Sequence, residues 1–194
     1  MLIAITGGIG CGKSSAARVF EESGFLVRDA DLIVRKQILL DSEVVRLAVS
    51  RWGEGVLNGN GQLDRAKVAE IIFSSEEERR WLESLVHPRV EKSWRADLAL
   101  APSRDWVIEI PLLFEARLEK GFDFVITVGA SEEVQVARLI ARGLLQAQAK
   151  QRIASQLPLA HKIQFSNAVI WNDGTTAFLK AQVLYLACAF RSVR

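Results

Sequence analysis

The stretch Gly7-Gly8-Ile9-Gly10-Cys11-Gly12-Lys13-Ser14 restricts the possible folds more than any other part of the chain. It has the phosphate-binding loop pattern of a glycine, four residues, then Gly-Lys-Ser. Such a loop needs a strand before it and a helix after it. Leu2-Ile3-Ala4-Ile5 reads as a buried parallel strand. Lys13 to Ser23 reads as a helix whose apolar face is Ala16, Ala17, Val19 and Phe20, and Gly24 stands where a C-cap glycine is expected. Glycines let the backbone approach a polyanion with its N–H groups turned inward, and the following helix adds the positive end of its dipole. Lys13 supplies a cation for the outer phosphates, and the Ser14 hydroxyl suits Mg²⁺. The nucleotide-binding set is therefore Gly8, Ile9, Gly10, Cys11, Gly12, Lys13, Ser14 and Ser15.

Bulk properties narrow the class. Net charge is +2, too balanced to predict a nucleic-acid partner. No apolar run reaches the ~20 residues that a spanning helix requires, so no membrane role is expected. The first strand starts at once with no basic stretch ahead of it, which argues against a cleaved leader. The two cysteines, Cys11 and Cys188, form no disulfide framework and fit a reducing cytoplasm.

Further along, Phe25-Leu26-Val27 is a second short strand that delivers Asp29 and Asp31 to the carboxyl edge of the sheet, where α/β folds bind ligands. The pattern does not separate the two aspartates, and one of them is expected to cap a helix. Asp31 to Trp52 reads as largely helical, with Asp31 and Arg35 one turn apart, either facing one ligand or forming an ordinary pair. Gly53 to Gly61 is a loop or hairpin, and Leu63-Asp64-Arg65 opens another helix. A helix starting at Ser74-Ser75 is expected to run to about Val86, and His87-Pro88 to start the next. His87 is either a capping or packing residue or a functional one.

Strand–helix alternation resumes at Trp106 to Ile110. Glu109 either serves the Mg²⁺ shell or faces an edge. Phe124 to Val128 is another buried strand, and Ser131 caps a helix carrying Arg138 and Arg142, which either hold phosphate or lie on a solvated face. Gln146 to Gln156 is a further helix, and Ala168 to Trp171 a last strand before Asn172-Asp173-Gly174. The final helix is expected to bury Phe178, Leu179, Val183, Leu184, Leu186 and Ala187. The fold class is α/β, a three-layer arrangement around a mostly parallel five-stranded sheet.

The ordered set of motifs resembles the dephospho-coenzyme A kinases over nearly the whole chain. It comprises Thr6 to Gly10 with Gly12-Lys13-Ser14, Asp29-Ala30-Asp31 with Arg35, and Leu63-Asp64-Arg65. It continues with Leu85-Val86-His87-Pro88, Pro111-Leu112-Leu113-Phe114-Glu115, Gln135 with Arg138 and Arg142, Arg152 with Gln156, Lys162, and Asn172 with Gly174. The resemblance implies a P-loop kinase fold in one domain, with a helical substrate-binding insertion over roughly 32–100 and a lid over roughly 138–165. It implies transfer of phosphate from ATP, with Mg²⁺, to the ribose 3′-hydroxyl of dephospho-coenzyme A, and a monomer or weak homo-oligomer. By the same resemblance Asp31 is the catalytic base, and Lys13, Arg138 and Arg142 neutralise charge. Arg35, Arg65 and His87 join Asp31 on the substrate side, and Asn172 approaches the adenine. The sequence departs from the family at Cys11, where serine is usual, and around Ser166-Asn167 and Asp173. The rival readings are a nucleoside monophosphate kinase of the same fold and a nucleotide-dependent switch. For the latter, neither an Asn-Lys-x-Asp nor a Leu-Ser-Gly-Gly-Gln string is present.

Overall fold

The computed structural model describes residues 1–192. In chain order the elements are β1 (Leu2–Gly7), α1 (Lys13–Glu22), β2 (Leu26–Asp29), α2 (Ala30–Lys36), α3 (Ser42–Trp52), α4 (Arg65–Ser74) and α5 (Glu76–Leu100). They continue with β3 (Trp106–Glu109), β4 (Phe124–Gly129), α6 (Glu132–Ala141), α7 (Gln146–Ala154), α8 (Leu159–Gln164), β5 (Ala168–Trp171) and α9 (Thr176–Ser192). The chain divides into two compact units, one of Met1–Asp29 with Ser103–Arg194, the other Ala30–Pro102.

The first unit is built on a five-stranded sheet in the order β2-β3-β1-β4-β5, with every neighbouring pair parallel. Parallel strands are buried on both faces, so β1, β3 and β4 read as mainly apolar runs, broken only by Thr6, Glu109 and Thr127. Side chains alternate between faces. On one face Ile3, Ile5, Val107, Ile126, Val128 and Ile170 pack with Phe20 of α1 and Val183 and Phe190 of α9. On the other, the Thr127 hydroxyl donates to the Lys162 carbonyl of α8. Helices on both faces give the expected three layers.

Gly24 ends α1 as its position predicts. At φ +90° it takes the left-handed conformation that a Cβ disfavours. Its N–H bonds the Glu21 carbonyl, and the Phe25 N–H bonds the Phe20 carbonyl, at 2.8 and 3.1 Å. The Phe20 and Phe25 rings meet edge to face at 5.3 Å, the hydrophobic contact that accompanies this type of cap. At the other end of the sheet, β5 is an edge strand. The Gln182 carboxamide accepts from Trp171 N–H and donates to Trp171 C=O, at 3.0 and 2.8 Å, imitating a neighbouring strand.

The second unit is helical, and two sequence expectations change there. The helical stretch from Asp31 to Trp52 is broken: α2 stops at Lys36, a single 3-10 turn follows over Ile38–Leu40, and Asp41 restarts the chain as α3. The Asp41 carboxylate accepts the N–H groups of Glu43 and Val44 at 3.0 and 3.1 Å, which fixes that boundary. Replacing Asp41 by Ala is expected to cost about 1 kcal/mol, read as a lower urea midpoint at unchanged activity. The second change is at His87-Pro88. No new helix starts there, because α5 runs continuously through Pro88. A proline inside a helix removes one backbone donor and crowds the preceding turn. Here the next residue supports that turn, its Arg89 guanidinium donating to the Leu85 carbonyl at 2.9 Å and to Glu43 at 2.7 Å. Asp64 and Ser75 cap α4 and α5 as their positions suggest, and Leu57 bridges Leu63 across the hairpin-like loop.

Two local expectations in the first unit also shift. Arg142 is the C-cap residue of α6 rather than part of the helix, and α7 stops at Ala154, leaving Gln156 in the following turn. On α9, Leu179, Val183, Ala187 and Phe190 are buried, whereas Phe178 and Leu184 are exposed.

Candidate functional site

The carboxyl ends of β1, β2 and β3 lie in register. Glu109 aligns with Ile5 on one side and Asp29 on the other. Beyond this edge β1 runs into the loop Gly8–Gly12, and α1 leaves it at Lys13. Gly12 caps α1 in the left-handed region at φ +95°, and a Cβ there would lie 2.2 Å from Asn172 Nδ2. Both the backbone conformation and the space therefore require glycine.

Lys13 is buried although charged, and its Nζ donates to the carbonyls of Gly7 and Gly8 at 3.2 and 3.0 Å. The ammonium is thus held inside the loop. Ser14 Oγ donates to Glu109 Oε1 at 2.9 Å. Glu109 therefore lies beside the loop and not at an edge, since β3 is inside the sheet and Glu109 is only 6% exposed. A hydroxyl that gives its proton to a carboxylate keeps its lone pairs for a cation. No group of three or more His, Cys, Asp or Glu side chains among the described residues is arranged to hold a metal. The Ser14–Glu109 pair instead offers the few hard oxygens that Mg²⁺ takes from a protein when phosphates and waters complete its shell.

Arg138 and Asn172 fasten the far side of the loop. Arg138 Nη1 donates to the Gly10 and Cys11 carbonyls at 3.2 and 3.4 Å, and Nη2 donates to the Asn172 carbonyl at 2.8 Å. Asn172 Nδ2 returns a bond to the Cys11 carbonyl at 2.8 Å, and Asn172 is itself buried. Asp173 accepts the Ser131 N–H at 2.7 Å, so the departure from the family at this position has a structural use in capping the start of α6. Cys11 packs in the apolar cluster under the sheet. Burial pushes its thiol above the usual range, and the nearby Lys13 only partly opposes this. Since the thiolate is the reactive form, Cys11 is a packing residue.

The structure therefore brings together Gly8 to Ser15, Glu109, Arg138 and Asn172 in the first unit, while Arg142 is exposed at the end of α6. The substrate-side residues Asp31, Arg35, Arg65 and His87 belong to the second unit. Asp31 and Arg35 are exposed on α2, and Asp31 follows the last residue of β2 by two positions. Arg65 opens α4 and is exposed. His87 is half-buried within α5, and that burial lowers its pKa against a smaller opposing effect of Glu83.

Two supporting groups escaped the reading of residue types alone. Gln135 is buried beneath the loop, its Nε2 donates to the Ala130 carbonyl at 2.9 Å, and its Oε1 leaves no room for a side chain at Gly8. Lys162, with no exposure, pairs with Glu115 at 2.7 Å and donates to the Pro111 carbonyl at 2.9 Å. A polar residue inside an apolar helical face was the available signal for both.

The dephospho-CoA kinase family profile matches residues 1–177. The dephospho-CoA kinase of Thermosynechococcus vestitus is 39% identical over 183 residues, covering 93% of this chain and 90% of that one. The crystal structure of a Thermus thermophilus protein superposes with TM-score 0.82 at 32% identity, covering 96% of both chains. Dephospho-CoA kinase from Campylobacter jejuni superposes with TM-score 0.70 at 25% identity, over 95% of this chain and 94% of that one. With a matching profile across most of its length and these relatives, the chain belongs to the dephospho-CoA kinase family.

Proposed function

We propose that the chain carries out ATP-dependent phosphorylation of dephospho-coenzyme A, giving coenzyme A and ADP, through the residues placed above. The observation that carries this assignment is the buried Lys13 and the Ser14–Glu109 bond at the edge where β1, β2 and β3 end in register. The loop amides and Lys13 hold the triphosphate. Ser14 and Glu109 hold Mg²⁺, which when bound neutralises phosphate charge. Arg138 and Arg142 are assigned the charge that spreads over the transferring group, and Asn172 the adenine side. Asp31, just past β2, orients the ribose 3′-hydroxyl and takes its proton as the new P–O bond forms. Arg35, Arg65 and His87 are assigned to the remainder of the acceptor. Little further chemistry is required, because phosphoryl transfer depends mainly on alignment and neutralised charge.

A coupled assay of ATP consumption, run with and without dephospho-coenzyme A, tests the reading. Turnover is expected only with that acceptor and Mg²⁺. Equal consumption without an acceptor, or preference for a mononucleotide, would replace it with one of the rival readings.

A further inference from the structure

The turn between α7 and α8 returns to the phosphate loop and is tied down on both sides of one peptide bond. Gln156 Oε1 accepts the Ile9 N–H at 2.8 Å. The next backbone N–H, that of Leu157, donates to Glu115 Oε1 at 3.1 Å. That same oxygen pairs with the wholly buried Lys162 Nζ at 2.7 Å. Ile9 also packs with Leu144 and Ile153 against Val136, Leu139 and Ala149, so the apolar residues of this region anchor it to the loop. The Gln156 carboxamide thus has little freedom.

Its orientation follows from the bond it makes. An N–H from Ile9 requires the oxygen end, which leaves the NH₂ end as two donors at the rim of the loop. Among the described residues no protein acceptor meets that NH₂, and its nitrogen is not among the buried atoms lacking a partner. Phosphate oxygens are acceptors only, so a preset amide donor beside the loop has the right chemistry for them.

We propose that Gln156 is a further phosphate-contacting residue, its NH₂ donating to the terminal phosphoryl group of ATP while Ile9 holds its oxygen. The Glu115–Lys162 pair is then a positioning device for it. The inference rests on the reading that the loop holds the ATP triphosphate, and the test separates the two. Gln156→Glu keeps the oxygen for Ile9 but sets a carboxylate oxygen against phosphate, whereas Gln156→Met removes both bonds at similar volume. The readouts are the dissociation constants of ATP and ADP with Mg²⁺, and kcat, with circular dichroism and the thermal midpoint confirming the fold of each variant. Losing a hydrogen bond to a charged group corresponds to about tenfold or more in affinity. Gln156→Glu is expected to weaken ATP by that factor and lower kcat, with ADP changed less than about twofold. A parallel loss of ATP and ADP affinity, no change in either, or tighter binding of both by Gln156→Met would overturn the proposal. Should Gln156→Glu fail to fold, Gln156→Met is read by the same ATP-against-ADP comparison. Failure of the wild-type chain to bind ATP more tightly than adenosine would count against the nucleotide reading itself.

Discussion

Asp31→Asn is expected to bind ATP as the wild type does and to lose about 10²- to 10⁴-fold in kcat, the range that positioned general acid–base groups supply. The side chain is isosteric, so the helix and its surroundings are preserved. What disappears is the ability to accept the hydroxyl proton. Asp31 is the second residue of α2, directly after the in-register strand ends, and is exposed, whereas Asp41 and Asp64 stand just before their helices and cap them. A structural aspartate would show its loss in the unfolding midpoint. A catalytic one shows it in kcat, with KM for ATP nearly unchanged. Full turnover in this variant would remove Asp31 from the base role.

Lys13→Ala is expected to affect both binding and rate. The ammonium is buried in the loop on two backbone carbonyls, so truncation removes the cation and the internal ties that shape the loop. Loss of one electrostatic group at a phosphoryl-transfer site is worth about 10²- to 10³-fold in kcat. ATP affinity should fall as well, measurable by titration with a non-hydrolysable analogue. Lys13→Arg should not restore activity, because a planar guanidinium does not replace a compact ammonium in so small a space. Unchanged turnover in Lys13→Ala would contradict the assignment of the loop.

Much of this was legible in the residues. The three inner strands were visible as mainly apolar runs because the middle of a parallel sheet is covered on both faces. The loop was legible because its glycines and Lys13 are needed by backbone conformation and charge, which are local requirements. Caps at Asp64, Ser75 and Ser131 were legible for the same reason. Tertiary effects were not. Pro88 looked like a helix start because propensity describes one residue, and the Arg89 side chain that supports the turn before it reaches there through three-dimensional geometry. On α9 the whole helix is rich in apolar residues, so periodicity did not separate the buried Leu179 and Phe190 from the exposed Phe178 and Leu184. Glu109 could not be told from an edge residue until the strand order placed β3 between β1 and β2. The partners Glu115 and Lys162 stand far apart in sequence, and nothing local announces that they meet.

The strand order also bears on how the chain is made. β1 is made before the other strands, yet its two neighbours are β3 and β4, and among the described residues β2 pairs with β3 alone. All of Ala30–Pro102 must be synthesised before β3 appears. Throughout that interval Leu2-Ile3-Ala4-Ile5 is an apolar strand with both of its pairing edges bare, the kind of segment that chaperones hold and that aggregates when unattended. Closing so long a loop delays nucleation of the sheet. A nascent chain arrested before Trp106 therefore has no sheet at all, and its glycine-rich bend has no scaffold to hold it in shape.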